Sequence, residues 1–140
     1  MIPMTVFSNE VAVRLQDTDA AGILFFANQF IYAHETYEML MEEIGLSFKS
    51  ILDHENYLIP LVHAESNYYE PLSVGQRLSV ELSVENIGDT SFTLSYKLKS
   101  ADGIVVGDCR TVHVTINSKS GKKIPLPAKL RDGLERFSAE

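Results

Sequence analysis

Two carboxylates lie two residues apart in the segment 17–22, DTDAAG, which is the part of this sequence best suited to chemistry. An aspartate in such a place can attack an acyl carbon directly or deprotonate a water molecule. The apolar run 23–27, ILFFA, follows at once and could form a pocket wall. A helix that starts there would point backbone N–H groups at a bound carbonyl oxygen. A solvated turn or a helix cap is the alternative interpretation of the two aspartates.

A strand and a long helix are predicted to hold this segment between them. Residues 6–15 end in an alternation of apolar and polar side chains that is typical of a half-buried strand. From about Asn28 to Ile44, apolar residues recur at spacings of three and four, which is one face of a helix. Asn28 is the predicted N-cap and Gly45 the predicted end. This helix would be about 25 Å long, so we expect it at the centre of the fold.

The second half of the chain contains several consecutive segments with the pattern of a strand. Apolar and polar side chains alternate over 79–85, 92–98 and 111–116, with turn residues between these runs. Such alternation favours an antiparallel sheet with one buried and one wetter face. The sequence therefore predicts one α+β domain over residues 1–140, with a long central helix packed on an antiparallel sheet of about five strands. A short C-terminal helix is predicted over 125–137, interrupted by glycine.

Composition and charge narrow the class of protein. The 140 residues carry a net charge of −7, which argues against a nucleic-acid partner. No apolar run approaches the length that spans a bilayer, and the N-terminus lacks the pattern of a signal peptide, so we expect a cytoplasmic protein without a membrane partner. Cys109 is the single cysteine, which excludes an internal disulfide and predicts a buried apolar role for its side chain.

The four histidines form no convincing set of metal ligands, so no metal is predicted. His63 and Glu65 lie on one face of a predicted strand, where His63 has either a pocket or interface role or a structural hydrogen bond. His113 is predicted on the wetter face of the sheet. His34 is expected on the helix surface and His54 in a polar loop.

The segment 17–28, DTDAAGILFFAN, together with the order of the elements around it, resembles the hotdog-fold acyl-CoA thioesterases of the 4-hydroxybenzoyl-CoA type. Residues 59–72, IPLVHAESNYYEPL, are similar to the second strand of that family. The resemblance spans roughly residues 8–118. Within the family, the two segments look most like the 1,4-dihydroxy-2-naphthoyl-CoA hydrolases of quinone biosynthesis.

The resemblance implies roles for individual residues. Asp19 would be the catalytic carboxylate, either as nucleophile or as general base. Gly22 would allow the tight turn toward the ligand, and the backbone N–H of Phe26 would bind the thioester oxygen. Asp17 would hold the turn. An aryl pocket could be lined by Phe25, Phe26, Tyr68 and Tyr69, although core packing explains these residues equally well.

The resemblance also implies a coenzyme A thioester as substrate, with no separate cofactor. Relatives place a basic cluster where this chain has Gly88, Asp89 and Thr90, so that cluster is absent here. Lys122 and Lys123 are the remaining candidates for the phosphates, with a solvated loop as the alternative. The family further implies a homo-oligomer, a dimer or a tetramer, with its active site at the subunit interface.

These observations predict an enzyme that hydrolyses an aromatic acyl-CoA thioester. A short-chain aliphatic acyl-CoA thioesterase of the same fold is one alternative. A non-catalytic acyl-binding protein of this fold is the other.

Overall fold

The computed structural model describes residues 6–138. Helices α1, α2 and α3 span Gln29–Glu43, Phe48–His54 and Ala128–Glu135. Strands β1 to β7 span Phe7–Ala12, Tyr57–Leu58, Leu61–Tyr68, Arg77–Ile87, Ser91–Ser100, Val105–Val114 and Ile116–Asn117. Two short 3₁₀ turns, at Leu15–Asp17 and Phe26–Asn28, lie between β1 and α1.

Five strands form one antiparallel sheet in the order β1-β4-β5-β6-β3. Strands β1 and β3 are its edges, and β2 pairs with β7 in a separate ribbon. Helix α1 packs on one face of the sheet, and the core lies between the two layers. The predicted α+β class, with a long helix on an antiparallel sheet of about five strands, is confirmed.

Helix α1 lies within one residue of its predicted bounds. Its buried face carries the core side chains, and Gly45 ends it with a φ of 83°, a conformation that glycine adopts without strain. Asn28 stands at the N-cap position, but its side chain makes no capping bond to the helix. Its Nδ2 instead donates to the carbonyl oxygen of Asp17 at 2.8 Å. The predicted cap is therefore a tether to the preceding loop.

The prediction for His113 is wrong, because this residue is only 1% exposed on the helix-covered face. The imidazole Nε2 lies 2.9 Å from Oγ1 of Thr111, which in turn lies 3.0 Å from the hydroxyl of Tyr96. The ring stacks on Phe92. These contacts pair the Nε2 of His113 and the hydroxyls of Thr111 and Tyr96, which reduces the cost of burying this face of β6. The buried Nδ1 of His113 has no hydrogen-bond partner among residues 6–138.

Helix α3 runs without interruption through Gly133, contrary to the sequence prediction. A Cβ atom at this position would lie 2.7 Å from Cβ of Ile44, so the glycine permits close packing against the end of α1. His54 also differs from its prediction, since it is the last residue of α2 and not part of a loop. No helix within residues 6–138 has the length and apolarity needed to cross a membrane.

Candidate active site

Asp19 lies in a tight turn that connects the two 3₁₀ turns. Its backbone N–H donates to the carbonyl of Ile23 at 2.9 Å, and its own carbonyl accepts from Gly22 N–H at 3.0 Å. Gly22 has a φ of 79°, which explains why glycine stands there. Within the turn, the Asp19 Oδ1 atom accepts the N–H of Ala21 at 2.8 Å, and the side chain is exposed. The turn thus presents the carboxylate to solvent in a fixed orientation.

Asp17 has a different environment. Its Oδ2 accepts the Arg14 N–H at 3.0 Å and the Tyr32 hydroxyl at 2.7 Å. Its carbonyl oxygen accepts the Phe25 N–H at 2.9 Å as well as the bond from Asn28. Burial, followed by the hydrogen bond to Asp17, raises the pKa of Tyr32, so this hydroxyl stays a donor. Asp17 therefore holds both sides of the loop together.

Phe26 opens the 3₁₀ turn that leads into α1. The neighbouring N–H groups of Phe25 and Asn28 both donate to backbone carbonyls. Among residues 6–138, no hydrogen-bond acceptor takes the N–H of Phe26. The Phe26 carbonyl accepts the Tyr68 hydroxyl at 2.8 Å, which ties the turn to β3. A free N–H at a helix start, where the helix dipole is positive, suits a developing oxyanion.

A cavity of about 350 Å³ brings Asp19 and Phe26 together. Its walls are mostly apolar or aromatic, and consist of Asp19, Ile23, Leu24, Phe26, Gln29, Tyr68, Tyr69, Glu70, Pro71 and Leu72. Phe25 does not line it, although its ring packs 4.7 Å from that of Phe26. Asp19 and Phe26 thus line the same cavity, and a carboxylate together with a free N–H can attack a carbonyl carbon and polarise its oxygen.

His63, Lys122 and Lys123 lie away from this cavity within the same chain. His63 is exposed on β3, with its Nε2 atom 3.1 Å from Glu65 Oε1. Lys123 forms a bridge to Ile116 of β7, and the N–H of nearby Val114 donates to the carbonyl of Pro60, the residue before β3. The lysines therefore lie near the start of β3, whereas the cavity includes its last residue, Tyr68. The eight residues of β3 separate these two ends by about 25 Å.

A larger cavity of about 600 Å³ lies between α1 and β3. It is lined by Phe30, Ile31, Ala33, His34, Glu35, Glu38, Leu61, Ala64, Tyr96 and Thr111. All but one of the eight residues of β3 beside it are exposed, including Leu61 and Val62. The edge of the sheet next to α1 is therefore uncovered in a single chain.

Sequence reasoning missed Gln29 as a part of this site, whereas Tyr68 and Tyr69 were candidates for a pocket wall and do line the small cavity. Gln29 is the first residue of α1, is 1% exposed and borders the small cavity. Its partners lie more than 35 residues away in sequence, so no local pattern could identify them. Within residues 6–138, no group of three or more His, Cys, Asp or Glu side chains is placed to hold a metal ion.

The chain belongs to the thioesterase-like superfamily, whose model matches residues 13–134. The predicted hotdog fold is thereby confirmed, and the chain is a thioester hydrolase. It is 34% identical over 125 residues to the 1,4-dihydroxy-2-naphthoyl-CoA hydrolase of Rippkaea orientalis, covering 88% of this chain and 91% of that protein. The hydrolase of the same name from Synechococcus elongatus is 33% identical over 133 residues, which cover 94% of this chain and 97% of that one.

A solved structure agrees with these relatives. The crystal structure of a 1,4-dihydroxy-2-naphthoyl-CoA thioesterase from Synechocystis superposes with a TM-score of 0.87 at 30% identity. The superposition covers 93% of this chain and 96% of the other.

Proposed function

We propose that this chain hydrolyses an aromatic acyl-CoA thioester, with 1,4-dihydroxy-2-naphthoyl-CoA as its substrate. The observation that carries the proposal is that Asp19 and Phe26, whose backbone N–H is unpaired among residues 6–138, line one cavity with aromatic walls. At about 350 Å³, this cavity falls in the usual range for small-molecule sites. The names of the Rippkaea, Synechococcus and Synechocystis relatives support the choice of acyl group.

In the proposed reaction, the thioester oxygen accepts the Phe26 N–H while the acyl carbon faces Asp19. Acting as a base, Asp19 takes a proton from water as the oxygen of that water bonds to the acyl carbon. The C–S bond then breaks, and the coenzyme A thiolate takes up the proton. Acting as a nucleophile, Asp19 would itself bond to the acyl carbon, the C–S bond would break, and the coenzyme A thiolate would leave. Water would then hydrolyse the resulting anhydride to the free acid and the Asp19 carboxylate, and the thiolate would take up the proton released from that water.

One turnover in ¹⁸O-labelled water separates these two routes. The base route places labelled oxygen in the acid product. The nucleophile route, with water attacking the aspartyl carbon of the anhydride, leaves the product unlabelled and places the label in Asp19. Mass spectrometry of the product and of the peptide that contains Asp19 reads both results.

We also propose that two copies pair through their β3 edges. An exposed edge strand with apolar side chains such as Leu61 and Val62 is a template for strand pairing. Antiparallel pairing about a two-fold axis would extend the sheet and cover the cavity between α1 and β3. It would also bring the start of one β3 beside the end of the other.

This pairing gives Lys122 and Lys123 a role that they cannot have within one chain. The lysines lie at the start of β3 and the Asp19 cavity at its end, so the partner's lysines would approach the cavity. We propose that they bind the coenzyme A phosphates across the interface. Glu substitutions at both positions should raise KM for the thioester with little change in kcat, and an unchanged KM would contradict the role.

The substrate is tested with a panel of hydroxybenzoyl, dihydroxynaphthoyl and short aliphatic CoA thioesters. The dihydroxynaphthoyl thioester is expected to give the highest kcat/KM. A preference for aliphatic chains would favour the alternative enzyme of this fold, and no turnover of any thioester would favour an acyl-binding protein.

The catalytic assignment is tested with Asp19→Asn, which keeps the size of the side chain and removes its charge. We expect kcat to fall by about 10³-fold or more, with an unchanged melting temperature and oligomer size. Asp102→Asn, in the exposed turn between β5 and β6, is the matched control and should retain full activity. Undiminished turnover in Asp19→Asn would exclude its catalytic role.

The pairing is tested by sedimentation of Val62→Glu, which places a charge on the exposed face of β3. The variant should sediment as a monomer and lose activity. Val74→Glu, at another exposed position outside β3, should do neither. An oligomer that persists in Val62→Glu would place the interface elsewhere, and sedimentation of the parent separates a dimer from a tetramer.

A further inference from the structure

Gln29 is a buried amide at the first residue of α1, where an apolar side chain would be the ordinary choice. Burying an amide costs free energy unless its hydrogen bonds are satisfied. We propose that Gln29 is a positioning residue, whose anchored side chain holds the Phe26 N–H at the place where the thioester oxygen binds. The inference rests on the proposed function, and it goes beyond it by assigning a role to a residue that does not itself touch the reacting atoms.

The Gln29 amide joins α1 to two strands of the sheet. Its Nε2 lies 2.7 Å from Ser66 Oγ and 3.0 Å from the carbonyl oxygen of Asn67, both on β3. The carbonyl of Asp108 on β6 is 3.3 Å away. Backbone carbonyls can only accept, so the amide nitrogen must face the strands and the orientation of the side chain is fixed.

The sheet provides a space for this amide at Gly107. A Cβ atom there would lie 2.6 Å from Gln29 Oε1 and 3.0 Å from its Nε2. Gly107 is not among the glycines with positive φ, so its backbone conformation does not require glycine. The absence of a side chain at position 107 is therefore explained by the space that the Gln29 amide occupies, together with the Asn67 carbonyl oxygen at 3.1 Å.

Hydrogen bonds from Gln29 and from Tyr68 hold the turn that carries Phe26. The backbone N–H of Gln29 donates back to the carbonyls of Ala27 and Phe26, and its side chain is bonded to the sheet. From the opposite direction, the Tyr68 hydroxyl donates to the Phe26 carbonyl at 2.8 Å. A turn held in this way has little freedom to change the direction of the Phe26 N–H.

The first test replaces Gln29 by methionine, which keeps the length of the side chain and removes its hydrogen bonds. We expect kcat to fall by about 10- to 100-fold with KM changed by less than about threefold, because misplacing an oxyanion donor affects the transition state most. Met39→Leu, on the exposed side of the same helix, is the control and should keep the parent kcat. A kcat of Gln29→Met within about twofold of the parent would overturn the inference.

The second test separates positioning from packing. Gly107→Ala should lower both stability and kcat, because its methyl group displaces the amide. Adding Gln29→Ala removes the two closest contacts of that methyl group and leaves the Asn67 carbonyl oxygen at 3.1 Å, so the double variant should recover part of the melting temperature. Its kcat should stay low, since the tether is still absent. Recovery of kcat together with stability would show that Gln29 acts through packing alone.

The third test needs no turnover. The amide resonance of Phe26 in a ¹H–¹⁵N spectrum should shift or broaden in Gln29→Met and remain in place in Met39→Leu. An unmoved Phe26 resonance would overturn the inference even if the parent hydrolysed every thioester in the panel. An inactive parent with a shifted Phe26 resonance would instead mean that the proposed function fails while the tether remains.

Discussion

The hydroxyl of Tyr32 on α1 donates a 2.7 Å hydrogen bond to Asp17 Oδ2, the same oxygen that accepts the Arg14 N–H. This pair links the central helix to the loop that carries Asp19. One residue of the DTDAAG segment thus secures the loop, while the other points its carboxylate into solvent.

Tyr32→Phe removes this link without changing the shape of the ring. A hydrogen bond to a charged group contributes about 1.5–3 kcal/mol, so we expect the free energy of unfolding to fall by about that amount. The kcat should fall as well, because the loop that holds Asp19 loses its anchor on α1. Urea denaturation and thioester hydrolysis measure the two effects.

Tyr37 offers a matched comparison on the same helix. Its hydroxyl is buried and has no hydrogen-bond partner among residues 6–138. Removing an unsatisfied buried hydroxyl relieves its desolvation penalty, so Tyr37→Phe should be neutral or more stable by about 1 kcal/mol. A loss of stability as large as that of Tyr32→Phe would contradict this comparison. It would mean that the loss in Tyr32→Phe does not come from its hydrogen bond to Asp17.

The role of the Phe26 N–H is tested with Phe26→Pro. Phe25 has φ −66° and ψ 132°, which a following proline tolerates, and proline suits the first position of a helical turn. The variant should fold and lose about 10²- to 10³-fold in kcat, as expected when one oxyanion donor is removed. Phe26→Leu keeps the N–H and should lose far less. Equal losses in the two variants would assign the effect to the side chain.

His113 makes stability depend on pH. Burial, and then the nearby charge of His34, lowers the pKa of His113 to about 4. The unfolded chain binds this proton near pH 6.5, so the free energy of unfolding should fall from about pH 6.5 to about pH 4, by about 3 kcal/mol in total. Below that pH both states are protonated and this contribution levels off.

The measurement is urea denaturation at a series of pH values, for the parent and for His113→Leu. Subtracting the two curves isolates the contribution of His113 from that of the carboxylates. The free energy of unfolding of the parent minus that of the variant should decrease as the pH falls. Only the parent contains the buried imidazole, so only the parent loses the stability that depends on keeping it neutral. A difference that is independent of pH would contradict a neutral, buried imidazole.

Gly133→Ala tests the contact between α3 and α1. Alanine favours a helix by about 1 kcal/mol over glycine, but its Cβ would lie 2.7 Å from Ile44. Overpacking costs about 1–3 kcal/mol, so we expect a net loss of stability in thermal unfolding. Asp132→Ala, on the exposed side of the same helix, should cause no such loss. A more stable Gly133→Ala would show that the two helices can separate without cost.

Strands β4 and β5 and helix α1 were predictable because each buries one apolar face, which leaves a period in the sequence. Strand β6 misled the same reasoning at His113. The face covered by α1 carries Thr111 and His113, whose side chains are buried and share one hydrogen bond. A pattern of apolar residues cannot show which polar groups will meet each other after folding.

The candidate site likewise has one part that the sequence indicates and another part that only the folded structure shows. Asp19, Gly22 and Phe26 lie within eight consecutive residues, so a single segment of sequence points to all three. Gln29 and Gly107 belong to different elements and meet only through the pairing of β3 with β6. The Gln29 amide fills the space that a side chain at position 107 would need, and this can be seen only in the folded chain.

Helix α1 is fixed at both ends, by the Gln29 amide against the sheet and by the contact of Ile44 with Gly133. It therefore has no freedom to slide along the sheet to suit acyl groups of different length. If the thioester binds as proposed, the backbone therefore fixes the depth of the cavity that receives the acyl group. Within this fold, a change of substrate would have to come from wall side chains such as Ile23 and Leu72, exchanged for larger or smaller ones.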